Sequence, residues 1–308
     1  MNLFTARIEC PEDWGEIFQS AAAFTPLVRF ILDSENLPVS EIENLIPGTN
    51  AVFRVGSHVI KIFAPPESGF FWESDFQTEL FSIRHANKLG VPAPRFKADG
   101  FVEDKYHFAY IITEHIEGTE FSELFLSMTG KEKYDFGSEL KEITGRLNIP
   151  CAPFNDIDVL NDVSRHKRWD KYPDNFKAER LVYINTHDFG GKVFVHGDLC
   201  GDNILLTPRG NIYIVDFADA VLAPICYEQA LVAVELFDFC PEPLKGYFGG
   251  VSPEQLLEIC FNGLLIHDFG DDIAMNHVGE PGGFETLNDL RDGIRRKLDR
   301  FAGFKLKI

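Results

Sequence analysis

Phe194-Val195-His196-Gly197-Asp198-Leu199-Cys200-Gly201-Asp202-Asn203-Ile204-Leu205-Leu206 reads as an apolar strand, a loop of small and polar residues, and a second apolar strand. Asp198 and Asn203 stand five positions apart within that loop. A turn at Pro208-Arg209-Gly210-Asn211 follows, then Ile212-Tyr213-Ile214-Val215-Asp216, a short β-branched strand that ends in a carboxylate. The two strands around the glycine turn predict a hairpin that carries Asn203 and Asp216 back to one point. Asp and Asn also favour turns for their own sake, so the plain alternative is a hairpin with polar corners. Asp202 reads as a solvated or turn-forming residue, and Cys200 as a structural loop residue.

The pattern His-Gly-Asp-x-x-x-x-Asn followed by Ile-Val-Asp-Phe, here His196 to Asn203 and Ile214 to Phe217, resembles the aminoglycoside phosphotransferase/choline kinase family of small-molecule kinases. The resemblance spans residues 41–228 and weakens in the last third of the chain. It implies an α+β, two-lobed protein-kinase-like fold. The small lobe carries an antiparallel sheet and one helix, and the larger lobe is mostly helical. It also implies that Asp198 orients the acceptor hydroxyl, while Asn203 and Asp216 offer hard oxygen ligands to Mg²⁺. His196 is expected to brace the loop through a backbone hydrogen bond.

The run from Leu45 through Gly48, Thr49 and Asn50 to Val55 reads as strand, small-residue turn, strand, and Val59-Ile60-Lys61-Ile62-Phe63 as the next strand. By resemblance, Gly48, Thr49 and Asn50 form a nucleotide loop and Lys61 neutralises the phosphates. Lone strand lysines are otherwise solvated edge residues. Phe76, Leu80, Ile83 and Ala86 recur at helical spacing over residues 73–89, and Glu79 on that helix is the expected partner of Lys61. Strands are expected at residues 96–101 and 107–114. The resemblance makes residues 114–118 the hinge, with the backbone of Glu114 and Ile116 binding the adenine edge. Leu205 and Val215 would form the floor of that site and Ile60 its roof; all three also suit an ordinary core.

A chain of 308 residues with 45% hydrophobic content and 29 Phe is long and apolar enough for two lobes with cores. No apolar run reaches the roughly 18 residues that span a bilayer, and the N-terminus lacks a signal-peptide pattern. Six cysteines without metal spacing read as reduced thiols of a cytoplasmic protein. Residues 11–33 suggest one or two amphipathic helices packed on the small lobe, with Trp14, Phe18, Phe24, Leu27, Phe30 and Ile31 as the apolar stripe and Pro26 kinking or dividing it. A partner-binding helix is the other reading.

Charge is uneven. Of the net −19, residues 219–290 supply 13 acids against one base, Lys245, while seven Lys and Arg fall in the last 18 residues. An acidic cleft would concentrate a cationic acceptor; a solvated acidic surface is the competing account. Nucleic acid is a poor partner for such a surface. Glu228, Asp268, Asp271 and Asp272 are the acceptor-binding candidates. The literal Asp268-Phe269-Gly270 lies too far from the loop to be the metal motif. A metal site at His267 and His277 is a minor option beside a simple helix end.

The expected organisation is an N-terminal arm at 1–38, a nucleotide-binding lobe at 39–113, a hinge at 114–118 and a helical lobe at 119–308. The expected activity is transfer of the γ-phosphate of ATP, with GTP left open, to a hydroxyl of a small molecule. Aminoglycoside, choline or ethanolamine, amino acid and sugar acceptors stay open, as does the oligomeric state. A nucleotide-binding pseudokinase and a protein kinase are the rivals. The short span from Asp216 to Tyr227 leaves little room for a peptide platform.

Overall fold

The computed structural model describes residues 3–45, 48–70, 72–279 and 283–300. Two compact units divide it. The first ends at Gly118 and also takes in Val215–Ala218; the second comprises Thr119–Ile214 and the chain from Asp219 onward.

The first unit runs α1 (Pro11–Ile17), α2 (Ala21–Ser34), β1 (Ile42–Asn44), β2 (Ala51–Val55), β3 (His58–Ile62), α3 (Trp72–Lys88), β4 (Phe96–Glu103) and β5 (His107–Glu114). The strands form one antiparallel sheet in the order β1-β2-β3-β5-β4. Side chains alternate across a strand, so each strand feeds two layers. Phe53, Ile60, Ile62, Phe108 and Ile112 pack with Phe4, Trp14, Phe24, Leu27 and Ile31 of the N-terminal segment. Ala109 and Ile111 point the other way and join Phe63, Phe76 and Leu80 in a second cluster with α3. Truncating a residue as buried as Ile60 to Ala costs about 2–5 kcal/mol.

Pro26 does not divide the arm: it lies inside α2. The break falls instead before Ser20, whose side chain caps α2 by accepting the Ala23 N–H at 3.3 Å. An interior proline costs a helix about 3 kcal/mol. Burial of Phe24, Leu27, Val28, Ile31 and Leu32 on the same helix outweighs that. β1 starts and ends before Leu45, and Ile46 and Pro47 lie outside the described residues.

The second unit contains β6 (Thr119–Glu120), α4 (Phe121–Leu124), α5 (Gly130–Leu147), α6 (Val163–His166), α7 (Asp174–Thr186), β7 (Lys192–Val195), β8 (Ile204–Leu206), β9 (Ile212–Ile214), β10 (Val221–Pro224), α8 (Cys226–Leu231), α9 (Pro241–Phe248), α10 (Pro253–Ile266), α11 (Gly270–Ile273) and α12 (Leu287–Arg300). β8 and β9 pair as the expected hairpin, with Ile204 opposite Ile214, and β6 lies on the outer side of β8. β7 pairs antiparallel with β10. Two π-helical turns interrupt the α pattern, Val232–Leu236 after α8 and Ala274–Val278 after α11.

Candidate active site

In the second unit, β7 ends at Val195 and the chain turns sharply at Gly197, whose φ is +86°. A Cβ there would lie 2.0 Å from the Asp219 carbonyl oxygen, so only glycine fits. The turn projects Asp198. Asn203 donates through Nδ2 to both the Asp198 carbonyl and its Oδ2, each at 2.8 Å. That bonding leaves the Asn203 amide oxygen as its acceptor end. The Cys200 N–H donates to the Asp198 carbonyl at 2.9 Å, and the Asn203 N–H to the Cys200 carbonyl at 3.3 Å. His196 is fully buried, and its Nδ1 accepts the Asp198 N–H at 3.3 Å. Burial, reinforced by the Asp198 charge, pushes the Cys200 thiol up to about 12, so it stays protonated. Asp202 is exposed.

Glu228 is not at an acceptor surface. It is fully buried on α8, and its carboxylate accepts the backbone N–H groups of His196 and Gly197 and the Asn148 Nδ2, the last at 2.7 Å. It therefore anchors the start of the loop. Burial pushes its pKa up to about 7 against the pull of those hydrogen bonds.

In the first unit, Lys61 Nζ lies 2.6 Å from Glu79 Oε2 on α3 and 3.0 Å from Asp216 Oδ1. Burial pulls the ammonium pKa down, but Asp216 and Glu79 outweigh it and the net shift is upward. Lys61 is a charged cross-brace rather than a solvated edge lysine. Asp216 holds φ at +55°, a left-handed conformation unusual outside glycine. Ile60 cannot roof a site beside Lys61. It points into the core under the N-terminal helices, on the opposite face of β3. Val59, two residues before Lys61, shares the lysine's face; strand alternation alone identifies it.

Gly48 and Thr49 are exposed, but Asn50 is buried. Its Oδ1 accepts the Ala64 N–H at 3.2 Å and its Nδ2 donates to Thr49 Oγ1 at 3.5 Å, so this side chain ties down the loop rather than facing a ligand. The Trp14 indole N–H donates to the Thr49 carbonyl at 2.8 Å, a restraint from the N-terminal arm that sequence reading missed. Glu114 donates its N–H to the Arg95 carbonyl and His115 to the Ser57 carbonyl, each at 2.9 Å. Among the described residues, the Ile116 N–H donates to none. Leu205 and Val215 are each half-buried.

The acidic segment is less bare than its composition suggests. Arg165 pairs with the Asp268 carboxylate, and Lys171 reaches Asp271 at 2.7 Å and also pairs with Asp272. Arg168 donates to the Asp268 carbonyl at 2.8 Å. Asp268 and Asp271 are thus committed to cations from about 100 positions earlier and do not line the cavity beside Asp198. Asp272 does. That cavity, of about 340 Å³, is lined by Asp272 with Asp198, Glu235, Phe269, Ile273, Asn276 and His277. Glu235 comes from the first π-turn, Asn276 and His277 from the second. Burial raises the Glu235 pKa, and Asp202 adds to the rise against the pull of His277. His277 Nδ1 lies 3.1 Å from Asp238, which follows the first π-turn with φ +43°. His267 is buried against Tyr227 and accepts the Phe269 N–H, and burial pulls its pKa to about 3. Among the described residues, no group of three or more His, Cys, Asp or Glu converges on a metal site. Lys305 and Lys307 of the basic tail lie outside the described residues.

A family model described as the phosphotransferase enzyme family matches residues 49–257, which include the loop, Lys61, Glu79 and Asp216. The chain belongs to that family. Solved structures similar to this phosphotransferase share its two-lobed protein-kinase-like fold. A choline/ethanolamine kinase family protein from Mesorhizobium loti is 18% identical over 87% of this chain and 89% of that one, with a TM-score of 0.52. A mutant of aminoglycoside 2'-phosphotransferase-IIIa, in complex with GDP, is 16% identical over 91% and 97%, with a TM-score of 0.58. A choline kinase from Streptococcus pneumoniae is 14% identical over 89% and 99%, with a TM-score of 0.53. No curated protein sequence matches the chain significantly.

Proposed function

We propose that this phosphotransferase is a small-molecule kinase that transfers the γ-phosphoryl group of ATP to a hydroxyl. The observation that carries the reading is the Asp198–Asn203 clamp, in which one amide fixes the carboxylate at 2.8 Å and keeps its own oxygen available. Asp198 would accept the acceptor's hydroxyl proton as the new O–P bond forms and the bond to the departing ADP breaks. Lys61, held by Glu79, would offset the charge of the nucleotide phosphates.

Mg²⁺ bound with a nucleotide needs only one or two protein oxygens, and the Asn203 amide and Asp216 carboxylate are suitable donors. When bound, the ion would neutralise phosphate charge. Complexes of similar structures with GDP, and with ADP or ATP, support a purine nucleotide site. Glu114 and Ile116 in the 114–118 hinge are assigned to the base, with Ile116 supplying a donor that no other described residue takes. Gly48 and Thr49 are assigned to the phosphates.

The acceptor site is assigned to the cavity beside Asp198, with Asp272 as the surviving candidate of the acidic group. The pocket carries no Lys or Arg, which favours a cation over an anion. Among the described residues no helix is long and apolar enough to cross a membrane. The deciding experiment is a nucleotide-consumption screen of purified protein against hydroxyl compounds grouped by charge. Acceptor-stimulated, Mg²⁺-dependent turnover is expected. Nucleotide binding without turnover of any acceptor would leave a pseudokinase instead.

A further inference from the structure

We infer that the phosphate acceptor is a small molecule carrying an N–H-bearing ammonium group, held by Glu235, and that a quaternary ammonium is disfavoured. The inference rests on the kinase reading and concerns the same cavity.

Three carboxylates line that cavity, and they are not equivalent. Asp198 is occupied by Asn203 and faces the hydroxyl chemistry. Asp272 is compensated by Lys171. Among the described residues, no hydrogen bond or ion pair engages the Glu235 carboxylate. His277 lies near it, but its Nδ1 is directed at Asp238. Burial costs this half-buried carboxylate hydration that the nearby His277 only partly offsets. A bound ammonium would restore both charge balance and hydrogen bonding.

The aromatic content of the wall separates two kinds of cation. Quaternary ammonium groups have no N–H and are recognised by aromatic faces. Beside the His277 imidazole, Phe269 is the one aromatic side chain lining this cavity, and the Arg168 guanidinium already lies over it, 5.4 Å from its centroid. What the wall offers instead is hydrogen-bond acceptors, the Glu235 carboxylate and the Asn276 amide oxygen. An ammonium with N–H donors can use both. The volume sets a size limit. About 340 Å³ lies near the small end of ligand sites and suits an amino alcohol or a single amino-sugar ring.

The backbone supports a built pocket. Glu235 and Asn276 each sit on a π-turn, and those turns replace the regular continuation of α8 and α11. A π-turn re-aims the side chains it carries and recurs at functional sites.

The test compares a primary amino alcohol, its N-trimethyl analogue and a neutral diol of equal size as acceptors, with kcat and KM measured separately. The amine is expected to exceed the trimethyl analogue by about 10–100-fold in kcat/KM, because a site built for hydrogen bonds rejects a ligand lacking donors. Glu235→Gln should raise the amine's KM about tenfold or more with kcat changed only a few-fold, the signature of lost uniform binding. It should also narrow the gap between amine and diol. Asn276→Leu, an exposed change that spares the core, should narrow the gap between amine and trimethyl analogue. Preference for the trimethyl, neutral or an anionic compound overturns this inference and leaves the kinase reading standing. An unchanged amine KM in Glu235→Gln does the same. No turnover of any hydroxyl compound, with Mg²⁺–nucleotide bound, overturns both.

Discussion

Trp14 donates its indole N–H to the carbonyl of Thr49 at 2.8 Å, linking the one buried side chain of α1 to the exposed turn before β2. A carbonyl held in this way fixes the orientation of the peptide that follows it. The arm therefore does more than fill the core under the sheet.

Trp14→Phe keeps an aromatic ring in the apolar cluster and removes only the indole donor. The loss of one such bond costs about 1 kcal/mol of stability. If Gly48 and Thr49 meet the nucleotide phosphates, its dissociation constant should rise several-fold with kcat near the wild-type value. Binding of a fluorescent nucleotide checks this. Unaltered affinity at lowered melting temperature would confine Trp14 to a structural role.

Much of this arrangement is legible along the chain, and the failures share physical causes. The Asp198–Asn203 loop is local, so spacing and flanking strands suffice to read it. Lys61 and Glu79 come from consecutive elements, β3 and α3, and each repeats a simple period. Ile60 was misplaced although alternation along β3 already sets it opposite Lys61. Asp268 and Asp271 looked free because their partners, Arg165 and Lys171, lie about 100 positions earlier. Glu228 reads from sequence as an acceptor-binding candidate because nothing local reveals that its helix buries it beneath the loop. Glu235 and Asn276 were invisible because a π-turn breaks the helical period that would have assigned them a face.

Asp216 meets Lys61 at 3.0 Å while holding a left-handed backbone. Asp216→Asn keeps the size and tolerates that conformation, whereas Asp216→Ala also adds backbone strain. Both should abolish turnover and remove the tightening of nucleotide binding by Mg²⁺. Calorimetric titration with and without EDTA reads the effect. Full activity in either variant, or full wild-type activity in EDTA, excludes Asp216 as a metal ligand.

Glu228 makes stability depend on pH with a definite sign. Its folded pKa, about 7, lies above the ordinary glutamate value of 4.5, so folding favours the protonated form. The contribution is complete below that ordinary value and is lost as pH rises through about 7. The shift corresponds to about 3 kcal/mol as an order of magnitude. Glu228→Gln cannot titrate. The stability of wild type relative to this variant should fall between pH 5 and pH 8, measured by urea unfolding at each pH. A constant difference across that range would show that the carboxylate does not titrate there.

Asp198→Asn tests the centre of the reading. The substituted amide can turn its oxygen toward the Asn203 Nδ2, which now donates to Asp198 Oδ2 at 2.8 Å, so the loop should keep its shape. Its NH₂ then faces the acceptor and cannot take a proton. General-base assistance is worth about 10²–10⁴-fold in rate, and kcat should fall within that range. Nucleotide affinity and melting temperature should stay close to wild type, because neither Lys61 nor the Glu228 anchor is touched. A fall of less than about tenfold would place the proton acceptor elsewhere. A large fall accompanied by lost nucleotide binding would instead mean that the loop itself had collapsed.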